Sequence, residues 1–224
     1  MAGDLRLVIF DVDGTLVDSQ ADILAAMAEA FAAVDQPAPN RAAILGIVGL
    51  SLEVAMQRLA PRCDHVRMVT AYKDAYIALR AKTGAAQSSP LYPGAREVLE
   101  RLGAQPDVVL GVATGKSKRG LDKLIEAHDL DGVFMTQQVA DFHPSKPNPS
   151  MIYQAMAEAG VGKSRTVMIG DTSFDMEMAA TAGVAGFGVS WGYHPVSALR
   201  AAHSVSSDFA TLERTLARHW SLLP

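Results

Sequence analysis

The segment Arg6-Leu-Val-Ile-Phe-Asp11-Val-Asp13-Gly-Thr15-Leu16 places two carboxylates one residue apart, directly behind four apolar residues. An apolar run that short suits a strand buried on both faces better than a free-standing helix. Like charges at the end of a central strand are costly unless a cation or a chemical task balances them. Asp11 is a candidate nucleophile: a carboxylate can attack phosphorus, form an aspartyl-phosphate and split one hard displacement into two easier ones. Asp13 is the candidate general acid and base, protonating the leaving alkoxide and then activating water. Gly14 permits a tight turn whose N–H groups can cradle phosphate.

Three later segments carry complementary chemistry. In Leu110-Gly-Val-Ala-Thr-Gly115, the Thr114 hydroxyl and the Gly115 N–H can bond phosphoryl oxygens at a helix start. In His143-Pro-Ser-Lys146-Pro147-Asn-Pro149, prolines stiffen the loop around Lys146, a cation able to hold the nucleophile and neutralise a transferring phosphoryl group. Gly170-Asp171-Thr-Ser-Phe-Asp175 follows an apolar run, and Asp175 comes one helical turn after Asp171 on roughly the same face. With Asp11 these aspartates form an all-oxygen set, which suits Mg²⁺ better than zinc. Taken singly, a capping Thr-Gly, a loop lysine and an acidic helix start are ordinary structural features. Their shared position at strand ends is what lets one crevice gather them.

Five strands are predicted to position these residues, over 7–10, 108–113, 133–136, 166–169 and 184–189. Helical patterns cover 95–102, 117–128, 150–159, 175–182 and 210–219. Such alternation implies right-handed crossovers and a parallel sheet. The interval from Leu16 to Val108 is far longer than one crossover needs. Ile23, Met27 and Phe31, at four-residue steps, predict a helix over 19–34 with Ser19 as its N-cap. Further helices are expected over 52–59 and 66–81, and Gln87-Ser-Ser-Pro90 with Tyr92-Pro-Gly94 reads as a return linker. The expected organisation is an α/β core, residues 1–17 and 90–224, with an all-helical cap over 18–89. The cap would hang over the carboxyl end of the first strand, where open α/β sheets bind ligands.

Leu45-Gly-Ile-Val-Gly49-Leu-Ser51-Leu-Glu53 is the candidate for substrate choice, with Gly46 and Gly49 as hinges and Ser51 and Glu53 able to face the substrate; the other reading is a helix-to-helix turn with Ser51 as N-cap. Arg58, Arg62 and Arg67 read as a solvated face. Trp191-Gly-Tyr193 either lines the mouth of the site or packs in the core.

Bulk properties exclude several classes. The chain has 224 residues, 49% hydrophobic, with a net charge of −4, and its basic residues are scattered, so no nucleic-acid partner is expected. One cysteine, Cys63, rules out an internal disulfide and fits a reducing compartment. No apolar segment approaches the ~18 residues of a membrane span, and none resembles a signal core. A cytoplasmic protein without a membrane partner, monomeric or homodimeric, is expected.

Asp11-Val-Asp13-Gly-Thr15-Leu-Val-Asp-Ser19, Thr114-Gly115, Lys146-Pro147 and Gly170-Asp171-Thr-Ser-Phe-Asp175-Met, in that order along essentially the whole chain, resemble the haloacid dehalogenase superfamily. The likeness is to its capped phosphatase branch and, within it, to phosphoglycolate-phosphatase-type proteins. The resemblance implies a Rossmann-like three-layer core whose parallel sheet has the order 5-4-1-2-3. It implies Asp11 as nucleophile, Asp13 as acid and base, and Thr114, Gly115 and Lys146 as phosphate ligands. It also implies Mg²⁺ held by the Asp11 side chain, the Asp13 backbone carbonyl and Asp171, with Asp175 assisting. Dehalogenases of the superfamily lack the second aspartate, because halide leaves without a proton, and its ion-pumping ATPases carry Lys-Thr where this chain has Val12-Asp13. Many relatives place a basic residue two positions before the lysine, where this chain has Pro144 followed by Ser145. The implied activity is Mg²⁺-dependent hydrolysis of a small phosphorylated metabolite, phosphoglycolate being the first named. The alternatives are a phosphomutase of the β-phosphoglucomutase type and a non-catalytic metabolite-binding protein, against which the presence of both Asp11 and Asp13 weighs.

Overall fold

Leu7 and Ile9 point to one side of the first strand and Val8 and Phe10 to the other, and each pair enters a different apolar cluster. Period-2 alternation with both sets apolar requires covering layers on both sheet faces. The computed structural model, which describes residues 5–221, has that arrangement. In chain order the elements are β1 (Arg6–Phe10), α1 (Gln20–Ala32), α2 (Arg41–Leu45), α3 (Leu52–Leu59), α4 (His65–Thr83), α5 (Ala85–Ser88) and α6 (Ala95–Gly103). There follow β2 (Val108–Thr114), α7 (Lys118–Ala127), β3 (Thr136–Val139), α8 (Ser150–Ala159), β4 (Thr166–Gly170) and α9 (Ser173–Ala182). The chain then runs through β5 (Ala185–Val189), β6 (Ser204–Ser206) and α10 (Phe209–Ser221).

The strands form one parallel sheet of order β3-β2-β1-β4-β5-β6. The five expected strands take the expected order, and β6 adds an edge strand beyond it. Val8, Phe10, Leu110 and Ile169 pack on one face against Leu99 of α6, Leu124 of α7 and Leu216 of α10. Leu7, Ile9 and Met168 pack on the other against Met151 and Ile152 of α8 and Met178 of α9. β1 lies between β2 and β4. The chain turns to opposite sides of β1 after it, and such a switch point opens a crevice at the strand ends.

The third strand differs from its predicted place. It runs over Thr136–Val139, not 133–136. Phe134 of the apolar run is buried in the core, but Met135 is 57% exposed and lies outside the ladder. The ladder residues facing α8 are polar and satisfied: Thr136 Oγ1 and Gln138 Nε2 donate to Glu158 Oε2 at 2.6 and 2.8 Å.

Between β1 and α6, helices α1 to α4 share an apolar cluster of their own, built on Ile23, Met27, Phe31, Ile44, Met56 and Met68. The four-residue steps of Ile23, Met27 and Phe31 do form one buried stripe, along which α1 packs on α4. The chain leaves and rejoins the sheet region side by side, with Asp18 N donating to Pro90 O and Tyr92 N to Leu16 O, both at 2.9 Å. Ser19 precedes α1 but makes no side-chain capping bond, contrary to expectation. Its hydroxyl is engaged elsewhere, as the site shows. Among the described residues no helix is long and apolar enough to cross a membrane.

Candidate active site

Asp11 follows β1 immediately, and its N–H donates to Ile169 O of β4 at 2.9 Å, so the ladder carries it one residue past the strand. Asp171 stands one residue past β4, and Thr114 is the last residue of β2. Neighbouring strands therefore deliver all three to one edge. Lys146 arrives from the loop after β3. Its side chain is fully buried, and Nζ donates to Asp11 Oδ1 and Asp175 Oδ1, both at 2.7 Å. Asp175 also closes a capping box at the start of α9, where Oδ2 accepts from Thr172 N at 3.1 Å and Thr172 Oγ1 at 2.7 Å. The helix-start role and the cluster role thus coincide in one carboxylate. Asp171 accepts from Thr15 Oγ1 at 3.0 Å and from Tyr193 N at 2.7 Å. Gly14, at φ +89°, makes room for it: a Cβ there would lie 2.3 Å from Asp171 Oδ2.

Asp11, Asp171 and Asp175 each present a carboxylate oxygen within 4.8 Å of the others, all buried. One ammonium, Lys146, stands against these three carboxylates, so with all three ionised the excess would match one divalent cation. Burial drives the Asp11 carboxyl up to about 7; Lys146 opposes the rise and Asp175 adds to it. Burial, then Asp11 and Asp175, raise Asp171 well above the carboxylate range. Asp11 Oδ2 is buried with no hydrogen-bond partner. An all-carboxylate donor set with an orphaned oxygen and surplus negative charge fits a hard divalent cation.

Asp13 is held apart from this cluster. Lys116 Nζ donates to its two oxygens at 2.6 and 2.7 Å, and Ser19 Oγ donates a short hydrogen bond to Oδ1. Burial pushes the Asp13 carboxyl up, but Lys116 and Ser19 together bring it below the usual range. Two neighbouring carboxylates thus have opposite titration, the signature of divided acid–base roles. Tyr193 joins both sets, its N–H on Asp171 and its hydroxyl accepting from Ser19 N at 2.9 Å. Trp191 instead packs on Phe209, with centroids 4.6 Å apart, while its Nε1 donates to Thr15 O at 3.0 Å.

Thr114 is buried, and its Oγ1 accepts from Lys116 N at 3.2 Å. Gly115 meets the segment read as the substrate loop: a Cβ there would lie 2.6 Å from Leu50 O and 2.7 Å from Gly49 O. Ser51 N donates to Ser145 Oγ at 2.9 Å, so the same segment also touches the Lys146 loop. Ser145 thus supplies a neutral contact to that segment. Asp11, Asp13, Thr114 and Gly115 face a cavity of about 860 Å³ that Ser51 and Glu53 also line. Arg58, Arg62 and Arg67 are exposed and do not line it. Sequence reasoning missed Lys116, Ser19 in its present role, and Tyr76 and Arg80 on the cavity wall. The step of four from Tyr72 to Tyr76 to Arg80 was the available signal for a stripe on α4.

Residues 8–189 match the family described as "Haloacid dehalogenase-like hydrolase". The chain belongs to this family. "Probable phosphatase IndB" of Dickeya dadantii is 38% identical over 199 residues, spanning 88% of this chain and 86% of that protein. The "Phosphoglycolate phosphatase" of Vibrio parahaemolyticus is 31% identical over 209 residues, spanning 87% and 89%. The crystal structure of a hydrolase from Pseudomonas syringae superposes with a TM-score of 0.83 at 27% identity, covering 95% of this chain and 98% of that one. The chain is a phosphatase-class enzyme of the haloacid dehalogenase-like family; phosphatases of that family generally use a divalent metal, and this chain carries a buried acidic cluster able to hold one.

Proposed function

We propose that the protein is a Mg²⁺-dependent phosphomonoester hydrolase of a small phosphorylated metabolite, working through an aspartyl-phosphate on Asp11. The observation that carries this reading is the pairing of Asp11, gripped by Lys146 at 2.7 Å, with a separately tuned Asp13 on the same cavity. Asp11, Asp171 and the Asp13 carbonyl would hold Mg²⁺, with Asp175 assisting; the ion supplies Lewis-acid neutralisation of phosphoryl charge. Lys146 fixes the Asp11 carboxylate and offsets charge on the transferring group, while Thr114 Oγ1 and the Gly115 N–H orient phosphoryl oxygens. Lys116 keeps Asp13 ionised in the free protein; an incoming phosphate dianion raises its proton affinity, since like charge favours the neutral form. Asp13 then gives that proton to the leaving oxygen and later takes one from the water that attacks the aspartyl-phosphate.

In this reading residues 18–89 act as a cap on a core of 1–17 and 90–224. The segment around Gly49 and Ser51, which touches both phosphate-binding stations, reports closure to the chemistry. Phosphoglycolate is the first substrate to test, on the likeness to relatives of that name. The experiment is phosphate release from a panel of organic-acid, sugar and nucleotide monophosphates with Mg²⁺ or EDTA. Mg²⁺-dependent release, lost in Asp11→Asn, is expected. Conversion of a substrate to its isomer without free phosphate would replace the hydrolase with a phosphomutase.

A further inference from the structure

The two oxygens of Asp13 are not equivalent. Among the described residues Oδ1 accepts from Lys116 Nζ at 2.6 Å and from Ser19 Oγ, whereas Oδ2 accepts only from Lys116 Nζ, at 2.7 Å. A carboxylate oxygen offers two lone-pair sites, so Oδ1 is filled and Oδ2 keeps one. A proton on Asp13 therefore belongs on Oδ2, because on Oδ1 it would displace a donor and leave that donor unpaired.

Ser19 is held in place to impose this difference. At the start of α1 it is Asp18 Oδ1 that accepts from Gln20 N, at 3.2 Å. The Ser19 backbone, at φ −104° and ψ 9°, lies outside the extended region from which an N-cap side chain turns onto its helix. Tyr193 supports the hydroxyl from the other side. Ser19 N donates to the Tyr193 hydroxyl at 2.9 Å, and the two hydroxyl oxygens are 3.2 Å apart. Ser19 gives its own hydrogen to Asp13, so the hydrogen between the two hydroxyls is Tyr193's. Tyr193, Ser19 and Asp13 Oδ1 thus form one directed chain, in which a donor that also accepts is strengthened. Tyr193 is itself anchored: its N–H donates to Asp171 at 2.7 Å, and its ring packs against the apolar cluster of α1 to α4. Neither Ser19 nor Tyr193 lines the cavity, so both act through Asp13.

Resting on the phosphatase reading, we propose that Ser19 and Tyr193 are positioning residues that hold Asp13 Oδ1 so that Oδ2 alone carries the proton. In the first step the Oδ2–H bond breaks as its proton passes to the leaving oxygen. The bond from that oxygen to phosphorus breaks, and an Asp11 oxygen bonds phosphorus in its place. In the second step Oδ2 takes a proton from the water whose oxygen displaces Asp11 from phosphorus.

Phenyl phosphate and p-nitrophenyl phosphate test this with the full chain and Mg²⁺ in single turnover. The two esters are alike in shape, but phenolate needs a proton to leave far more than p-nitrophenolate does. Ser19→Ala should slow phenol release by roughly 10- to 100-fold, and Tyr193→Phe by roughly 3- to 10-fold. Release of p-nitrophenol should stay within about twofold of wild type in both. Adding Tyr193→Phe to Ser19→Ala should change phenol release by less than about twofold, because Tyr193 acts only through Ser19. Equal slowing of both esters marks a structural role and overturns the proposal; Ser19→Ala alone can show it, whether or not Tyr193→Phe folds. Additive losses in the double variant overturn the role of Tyr193. If the wild type releases phosphate from neither ester, nor from organic-acid, sugar and nucleotide monophosphates, the phosphatase reading itself fails. Release with unchanged ester ratios in the variants removes the positioning roles alone.

Discussion

Replacing Lys146 with methionine isolates the charge balance on which the site depends. Lys146 Nζ lies 2.7 Å from Asp11 Oδ1 and 2.7 Å from Asp175 Oδ1, with none of the three side chains more than 1% exposed. Methionine keeps the unbranched apolar stem, so packing changes little. What is lost is the only cation in contact with Asp11 or Asp175 among the described residues. Removing one partner of a buried ion pair costs about 3–5 kcal/mol. For a chain of this size each kcal/mol is about 2–4 °C, so Tm should fall by ~6–20 °C in metal-free protein near pH 8. The pH dependence has a definite sign. Lys146 is what lowers the Asp11 carboxyl from still higher values, and Asp11 and Asp171 already titrate above their unfolded range. Groups with raised folded pKa values stabilise the protein when protonated, and that contribution is lost as pH rises through them. The deficit of Lys146→Met should therefore shrink as pH falls from about 8.5 towards 5.5. Urea unfolding in EDTA, followed by tryptophan fluorescence, measures it. A deficit below ~1 kcal/mol at the higher pH, or one that grows on acidification, would refute the argument.

Lys116→Met removes the cation that positions Asp13 and keeps it ionised, so the step in which Asp13 must take a proton from water should slow by roughly 10- to 100-fold while release of p-nitrophenol in the first turnover slows much less; a stopped-flow burst followed by a slow steady state is expected, and equal slowing of both phases would contradict it. Gly115→Ala sets a methyl 2.6 Å from Leu50 O and 2.7 Å from Gly49 O, so the substrate loop must move. The expected loss in kcat/KM is about tenfold or more, with a fall in Tm of roughly 2–12 °C from about 1–3 kcal/mol of overpacking, and steady-state kinetics beside a melting curve would expose an unchanged kcat/KM. Wild-type protein in EDTA should become more stable as pH falls through about 7, where Asp11 takes up its proton. Saturating Mg²⁺ should flatten that dependence by holding the carboxylates ionised, and parallel slopes with and without Mg²⁺ would contradict the assignment of the acidic cluster.

How much of this was legible beforehand follows the range of the interactions. β1 and the aspartates behind it could be read because local sequence determines them: four apolar residues, then charge. β3 slipped by three residues because its inward side chains, Thr136 and Gln138, are polar and satisfied by Glu158, a partner invisible in a hydropathy pattern. β6 escaped because a three-residue Ser-Val-Ser edge strand carries no periodicity. Ser19 has the sequence context of an N-cap, but its hydroxyl is drawn to Asp13 by geometry that only the folded chain supplies. Lys116 and Asp13 are 103 residues apart and meet only because β1 and β2 are neighbours. Tyr193, one of two readings at the sequence level, proved to join Asp171 to Ser19, 174 residues away.

The most direct test of the central claim is to quench the reaction with acid in its first turnover and locate the phosphoryl group by mass spectrometry after reductive trapping. The account predicts an acyl-phosphate on Asp11, formed with Mg²⁺, absent in EDTA and absent in Asp11→Asn. Turnover with no adduct on Asp11 at any quench time, or turnover undiminished in Asp11→Asn, would contradict it.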